Sequence, residues 1–347
     1  MKPTTAGKKA EILPTHNAAL FRTAVARAAE LLRAGEVAAL PTETVYGLAA
    51  NALDARAVAR IYEIKGRPAN NPIIVHVVGR EMAQRCVANW PLAADLLAEA
   101  FWPGPLTLVL PRSAEIPDMV TAGGETVGVR WPSHPFIQAV IRQCGFPLAA
   151  PSANPSNRVS PTNAEHVGKY LGDKIRLIVD GGQSQVGIES TVVDLTARPF
   201  RVLRPGMIHL ASLRAALDKS GLEIADDASE TGAAGPLRSP GRLLKHYSPK
   251  AKLQILSWRD EEELRTKIGG QKLPLAKTHV IAHTVIPGGG GFARVSVIPH
   301  DAEAFARAIY AELHESDEAG AGWIVVEALP VTDEWRAIAD RLKRAAA

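Results

Sequence analysis

The chain has 347 residues, long enough for two domains that each bury a core, with an apolar content ordinary for a soluble protein. Its 40 basic and 36 acidic side chains leave a net charge of +4, too small an imbalance to make the whole surface a nucleic-acid-binding face. Two cysteines exclude a disulfide framework and a cysteine metal set. No apolar run reaches the roughly 18–20 residues that a bilayer crossing needs, so the expectation is a cytoplasmic protein with no membrane contact. Residues 1–15 are polar, lack the apolar stretch of a secretory signal and are expected to be a disordered tail.

Leu20, Ala24, Ala28, Leu31 and Leu32 recur at helical spacing and predict a helix over His16–Gly35. A short buried strand, Glu36–Leu40, then delivers the polar turn Pro41-Thr42-Glu43-Thr44-Val45-Tyr46-Gly47-Leu48. Asp54 is placed to cap a helix over Ala55–Ile64, which ends at Gly66 between Lys65 and Arg67. Cations at a helix C-terminus are favoured by the dipole alone, so Lys-Gly-Arg by itself says little. Here it is followed by Asn70-Asn71-Pro72 and the apolar run Ile73–Val78, interrupted only by His76.

A helical pattern over Glu81–Ala100 is broken at Asn89-Trp90-Pro91. Strands Leu106–Leu110 and Thr126–Arg130, helix Pro135–Gln143 and strand Phe146–Ala150 follow. That strand runs into the loop Pro151–Thr162, rich in hydroxyls and amides, whose prolines reduce the freedom lost on ordering. Thr162 is expected to cap a helix over Asn163–Leu171. Strands Arg176–Asp180, Ser190–Leu195 and Arg201–Leu203 and helix Ile208–Leu217 complete a mixed α/β layer structure.

Composition shifts over residues 221–250. The first half reads as a plain linker, and the second, with Ser239-Pro240-Gly241-Arg242 and His246-Tyr247-Ser248-Pro249, as a segment that docks. Beyond it, strands Lys252–Ser257, His279–His283, Arg294–Ile298 and Trp323–Glu327 and helices Glu261–Lys267, Ala302–His314 and Asp333–Arg344 predict a small α/β domain with a parallel sheet. Gly288–Gly291 opens no helix after a strand and is read as a turn, not a nucleotide loop.

Walker A, H-E-x-x-H, C-x-x-C and G-x-S-x-G patterns are absent, and the aspartates form no metal cluster visible in the sequence. What stands out is a set of cations, Lys65, Arg67, Arg130, Arg158, Arg201, Arg204, Arg238, Arg242 and Lys245, mostly beside Gly, Pro or Ser in predicted loops. Such a set suits binding phosphates and carboxylates and stabilising charge on a transferring phosphoryl group. It suits covalent catalysis poorly. Taken singly, His76 reads as a hydrogen-bonded core histidine, Arg130 as a stack on Trp131, and Tyr247 as linker packing.

Lys65-Gly66-Arg67 with Ser152-Ala153-Asn154 resembles the K-x-R…S-x-N signature of the YrdC-type family. Pro41–Leu48, Asn71-Pro72, the strand near His76 and Ser190-Thr191-Val192-Val193-Asp194 fit in the same order. The linker and small C-terminal domain resemble the long two-domain form of the threonylcarbamoyl-AMP synthases, although Arg242-Leu243-Leu244-Lys245 stands where that pattern has a Met. The resemblance implies a twisted open sheet with a concave basic groove over residues 16–220, residues 221–250 docking over the active site, and a Rossmann-like α/β domain over 251–347. It implies synthesis of threonylcarbamoyl-adenylate and pyrophosphate from L-threonine, bicarbonate or CO2 and ATP, for threonylcarbamoyladenosine modification of tRNA.

By the same resemblance Thr44, His76, Arg130 and Ser190 hold threonine. Arg67, Asn71, Thr126, Ser152, Asn154, Ser160, Arg204 and Tyr247 hold ATP, and Lys65 and Arg67 are catalytic. Mg²⁺ is expected with ATP, with no tightly bound cofactor and no metal held by protein side chains. Implied partners are RNA or tRNA and a downstream threonylcarbamoyl-transferase complex. Two rivals have weaker support. A double-stranded RNA-binding protein using the same groove would show steep salt dependence and no threonine requirement. A carbamoyltransferase accessory module would carry zinc-finger segments, for which this chain lacks the cysteines.

Overall fold

The computed structural model describes residues 9–226, 246–288 and 290–347. Residues 1–8, Gly289 and the linker stretch 227–245, with Arg238, Ser239-Pro240-Gly241, Arg242 and Lys245, lie outside the described residues.

The larger domain is built on one mixed eleven-stranded sheet. Its spatial order is Glu11–Pro14, Leu177–Asp180, Ala38–Leu40, Gly47–Asn51, Leu148–Ala149, Val75–His76, Thr126–Arg130, Leu106–Pro111, Thr191–Asp194, Phe200–Arg204, Ile224–Asp226. Alternation along the strands sorts their side chains between layers. Ala38, Leu40 and Ala49 pack with the helices Ala18–Arg33 and Pro135–Cys144, whereas Ala39, Leu48 and Ala50 face the cluster that holds Ala55–Lys65 and Ala164–Leu171. Small alanine side chains let helices lie close on both faces of this half.

The other half is two-faced in a different sense. Leu108, Leu110, Val129, Val193 and Val202 join the main core. Register sets His76 beside Arg130, Gly128 beside Val109, and Thr107 beside Val192 on the opposite face. That second face carries polar side chains beside a small apolar patch of Val109, Val192 and Leu203, and the functional cavity lies against it.

Local signals behave largely as their chemistry dictates. The Asp54 side chain accepts from the Arg56 and Ala57 amides at 2.9 and 3.3 Å, and Gly66 closes the helix in the left-handed conformation. Asn163, not Thr162, caps the helix Ala164–Leu171, accepting from the His166 amide at 2.9 Å. The expected disordered tail is corrected at its inner end: Glu11–Pro14 pairs in parallel with Leu177–Asp180, and Leu13 packs on the core beneath. The expected linker likewise contributes an edge strand, Ile224–Asp226, paired with Phe200–Val202. Both segments are too short to show periodicity, and the sheet edge supplies their hydrogen bonds.

The C-terminal sheet is wholly parallel, in the order Lys252–Leu256, Trp323–Glu327, Thr278–Ala282, Arg294–Val297. Helix Glu261–Gly270 covers one face, and helices Ala302–Glu318 and Asp333–Ala346 the other. The second cluster crosses the domain boundary, because Val45, Val159 and Ile188 pack with Phe305, Ile309 and Tyr310. Among the described residues no helix is long and apolar enough to cross a membrane.

The boundary is tight at Gly187, which has φ +84° and where an added Cβ would collide with the backbone of Ala306 and Arg307. Gly187→Ala should therefore lower the unfolding free energy by about 1–3 kcal/mol through overpacking and left-handed strain. Urea denaturation measures this, and an unchanged midpoint would refute the close contact.

Candidate active site

The connection from Leu40 to Gly47 is buried along its whole length. A buried loop must satisfy its own polar groups. Thr42 Oγ1 donates to Val45 O at 2.6 Å and accepts the Thr44 amide at 3.2 Å. Residues 184–187 run alongside: the Ser184 hydroxyl donates to Thr42 O at 3.0 Å, the Val186 amide to Glu43 O at 2.7 Å and the Gly187 amide to Thr44 O at 3.1 Å. With its backbone so occupied, the turn holds Glu43 and Thr44 in place. Glu43 Oε1 accepts the Ser133 amide at 3.0 Å and lies 2.7 Å from Arg130 Nη2, while Arg130 Nη1 donates to Thr44 Oγ1 at 2.9 Å. Burial alone would raise the Glu43 carboxyl, but the Arg130 charge and the Ser133 amide outweigh it and hold the group below its ordinary value.

His76 is Arg130's partner on the adjacent parallel strand. Its ring is buried, and burial followed by the Arg130 charge drives its pKa well below the ordinary value, so it is neutral at physiological pH. The expectation of a fully hydrogen-bonded core histidine fails at Nδ1, which has no partner. Ser190 Oγ lies 2.8 Å from Thr107 Oγ1 and accepts from Arg204 Nη2 at 3.0 Å, and Arg204 Nε donates to Ser190 O at 3.0 Å. A β-bulge lets Arg204 do this: Val202 pairs with Val193, yet Arg204 pairs with Val192. Simple alternation would have set Arg204 on the face of Val202, in the main core.

The Lys65–Arg67 corner divides its labour. Lys65 is buried and aims its ammonium into the loop, donating to Ser152 O at 2.6 Å and to Asn154 through both its backbone oxygen and Oδ1. Burial, then the Arg67 charge, drives the Lys65 pKa well down. Lys65 therefore braces the Ser152–Asn154 loop from behind, and Asn154 turns away with it, donating to Arg158 O at 2.7 Å. Arg67 faces the cavity. Its Nε donates to Asn71 O at 2.9 Å and its Nη2 to Asn71 Oδ1 at 2.8 Å, so Asn71 holds the guanidinium. Desolvation lowers Arg67 to about 10, leaving it charged at neutral pH with neutral oxygens as its hydrogen-bond acceptors.

Thr44, Arg67, His76, Arg130, Ser152, Ser190, Arg204 and Tyr247 line one cavity of about 570 Å³, part of it open to solvent. Lys65, Asn71, Asn154 and Ser160 stand behind its wall. Thr126 lies at the far end of the Thr126–Arg130 strand, on Arg130's face and roughly 13 Å from it. Tyr247 is buried and adopts φ 61°, and His246 lines the cavity beside it with ring centroids 4.0 Å apart. Burial lowers the His246 ring to about 3, with Arg67, Lys65 and Arg204 adding to the effect against Glu189.

Sequence reasoning missed Glu43, Glu189 and His246. Glu43 had a signal, a lone carboxylate inside a turn of hydroxyls. Glu189 had none beyond preceding Ser190. Among the described residues no group of three or more His, Cys, Asp or Glu is arranged to hold a metal.

Comparison with known proteins gives this arrangement its class. The family profile described as "Telomere recombination", covering Sua5, YciO and YrdC proteins, matches residues 30–206, and that of the threonylcarbamoyl-AMP synthase C-terminal domain matches residues 208–347. The chain belongs to the threonylcarbamoyl-AMP synthase family, in its two-domain form. It is 38% identical over 321 residues to the threonylcarbamoyl-AMP synthase of Pyrococcus abyssi, covering 92% of each chain. It is 39% identical over 332 residues to that of Bacillus subtilis, covering 93% of this chain and 92% of the relative. The crystal structure of P. abyssi Sua5 complexed with L-threonine superposes with a TM-score of 0.86, at 36% identity and over 97% of each chain. The expected YrdC-type sheet with a small α/β domain after it is the fold observed.

The Glu43–Arg130 pair makes a pH prediction. Glu43 has a folded pKa below its unfolded value near 4.5, so its stabilisation is complete above that pH and is lost as pH falls through the lower, folded value. Glu43→Gln should flatten that acid loss while lowering the melting temperature at pH 7, where Arg130 is left without its carboxylate. Superimposable stability–pH curves for the two proteins would refute the pairing.

Proposed function

We propose that this cavity joins L-threonine, bicarbonate or CO2 and ATP into threonylcarbamoyl-adenylate, with release of pyrophosphate. The observation that carries the reading is the convergence of three guanidiniums, Arg67, Arg130 and Arg204, on one cavity that also presents hydroxyls and a neutral imidazole. The Arg130 fork suits the threonine carboxylate, and Thr44, Ser190 and His76 suit its hydroxyl and amine. Neutrality of His76 matters, because an imidazolium beside Arg130 would repel the amine. Arg67 and Arg204 suit the phosphates, with Ser152 and Tyr247 on the nucleotide side. Asn71, Ser160 and Lys65 act through the groups they hold.

The threonine amine attacks CO2, or bicarbonate with loss of water, to give N-carboxythreonine. A carbamate oxygen then attacks the α-phosphorus in line, and that O–P bond forms as the bond to pyrophosphate breaks. His76 and His246 are too weakly basic for proton abstraction at neutral pH, so positioning and charge neutralisation supply the rate. The residues fit a Mg²⁺ ion that arrives on ATP, bound by phosphate oxygens and water. The adenylate would pass to a transferase that completes threonylcarbamoyladenosine in tRNA.

Pyrophosphate release by purified protein tests this. It should require both L-threonine and bicarbonate, and serine, lacking the methyl group, should lower kcat/KM by roughly 10–200-fold. ATP turnover indifferent to threonine, or salt-sensitive RNA binding without turnover, would overturn the reading. Arg67→Ala should lower kcat/KM for ATP by about 100-fold with the fold retained, and wild-type turnover would remove Arg67 from the phosphate site.

A further inference from the structure

The last helix, Asp333–Ala346, carries an arginine on its buried stripe. Arg341 is 1% exposed, on the face that also holds Trp335, Ile338, Leu342 and Ala345. A guanidinium in such a place is costly unless its donors are met. Its partners lie across the domain boundary: Nε donates to Glu189 Oε2 at 2.8 Å and Nη2 to Pro205 O at 3.0 Å, while Nη1 donates to Asp340 at 2.8 Å on its own helix. Tyr310, also from the C-terminal domain, donates to the same Glu189 oxygen at 3.0 Å, and Ser160 donates to the other at 2.6 Å. The Arg341 guanidinium also lies against the Tyr247 ring, 5.3 Å from its centroid.

These contacts have a common destination. Glu189 immediately precedes Ser190, and Pro205 immediately follows Arg204, and Ser190 and Arg204 are the pair that meets in the cavity wall. One fork therefore spans both strand ends that present the pair, while its face seats the tyrosine above them. We infer that Arg341 is a positioning residue for the part of the cavity where the threonine side, through Ser190, meets the nucleotide side, through Arg204 and Tyr247, fixing from the C-terminal domain the spacing of Ser190 and Arg204 and the seat of Tyr247. This rests on the function proposed above. The alternative is that Arg341 only fastens the two domains together.

Full-length Arg341→Lys and the double variant Glu189→Gln/Arg341→Met separate these roles. The lysine keeps the charge and loses the fork. The double variant removes both charges, so no ion is left buried alone. Each should lower kcat/KM for ATP by roughly 10–100-fold, the range for residues that orient a contacting group. Threonine affinity measured by calorimetry should fall less than kcat, because Arg341 reaches the threonine contacts only through Ser190, while Thr44, His76 and Arg130 lie outside its hydrogen bonds. The double variant should regain most of the melting temperature lost by Arg341→Met without regaining turnover. Recovery of turnover together with stability would overturn the inference. Should the double variant not fold, wild-type kcat/KM for ATP in Arg341→Lys overturns it alone. Wild-type protein is the control: if it lacks threonine-dependent pyrophosphate release, the proposed function fails, and that failure is distinct from either variant result.

Discussion

A buried ion pair, Glu43 with Arg130, is the constraint on which the rest of the cavity depends. Desolvating two charges costs several kcal/mol for each ion, and mutual attraction offsets this only when the remaining donors and acceptors are met. Here the Ser133 amide, the Thr44 hydroxyl and Gly104 O meet part of that requirement, while Glu43 Oε2 and Arg130 Nη2 have no hydrogen-bond partner. The pair therefore specifies geometry more than it adds stability. It requires the Thr42–Tyr46 turn to stay closed, the turn requires residues 184–187 alongside it, and helix Ala302–Glu318 presses on that segment at Gly187. A small-molecule site in one domain is thus conditioned by packing in the other.

Among the described residues lining the cavity, three buried nitrogens lack a hydrogen-bond partner, Nδ1 of His76, Nδ1 of His246 and Nη2 of Arg130, the last facing Glu43 as an ion pair. Both rings are held neutral by their surroundings. Most buried polar atoms in folded proteins are hydrogen-bonded, so exceptions gathered at one place mark where the chain has sacrificed stability for preorganisation.

Much of the fold was legible because its signals are local. Asp54 and Gly66 bracket a helix through capping chemistry, and the succession of strands and helices in the C-terminal domain announces a parallel sheet. The site was legible as a roster and less so as geometry. Arg130 beside His76 follows from strand pairing, which no spacing in the sequence states. Lys65 looked like a phosphate ligand because cations near glycine often are, but three nearby oxygens from the Ser152–Asn154 loop claim it. Arg341 left a faint trace, a charge three residues after Ile338 and four before Ala345 on an otherwise apolar stripe. Its partner Glu189 lies 152 residues away in the chain, a separation that only tertiary structure closes.

The bulge before Arg204 gives the strand Phe200–Arg204 a parity. Side chains in a strand alternate faces, so the chain counts in twos, and one supernumerary residue between Val202 and Arg204 shifts that count by half a step. Were the strand to pair regularly through Leu203, with no bulge, that count would turn the guanidinium towards Leu108 and Val193, away from the cavity. Deleting Leu203 would instead make Val202 and Arg204 ordinary alternating neighbours, so the bulge is what lets a strand with one residue too many still present its arginine to the substrate.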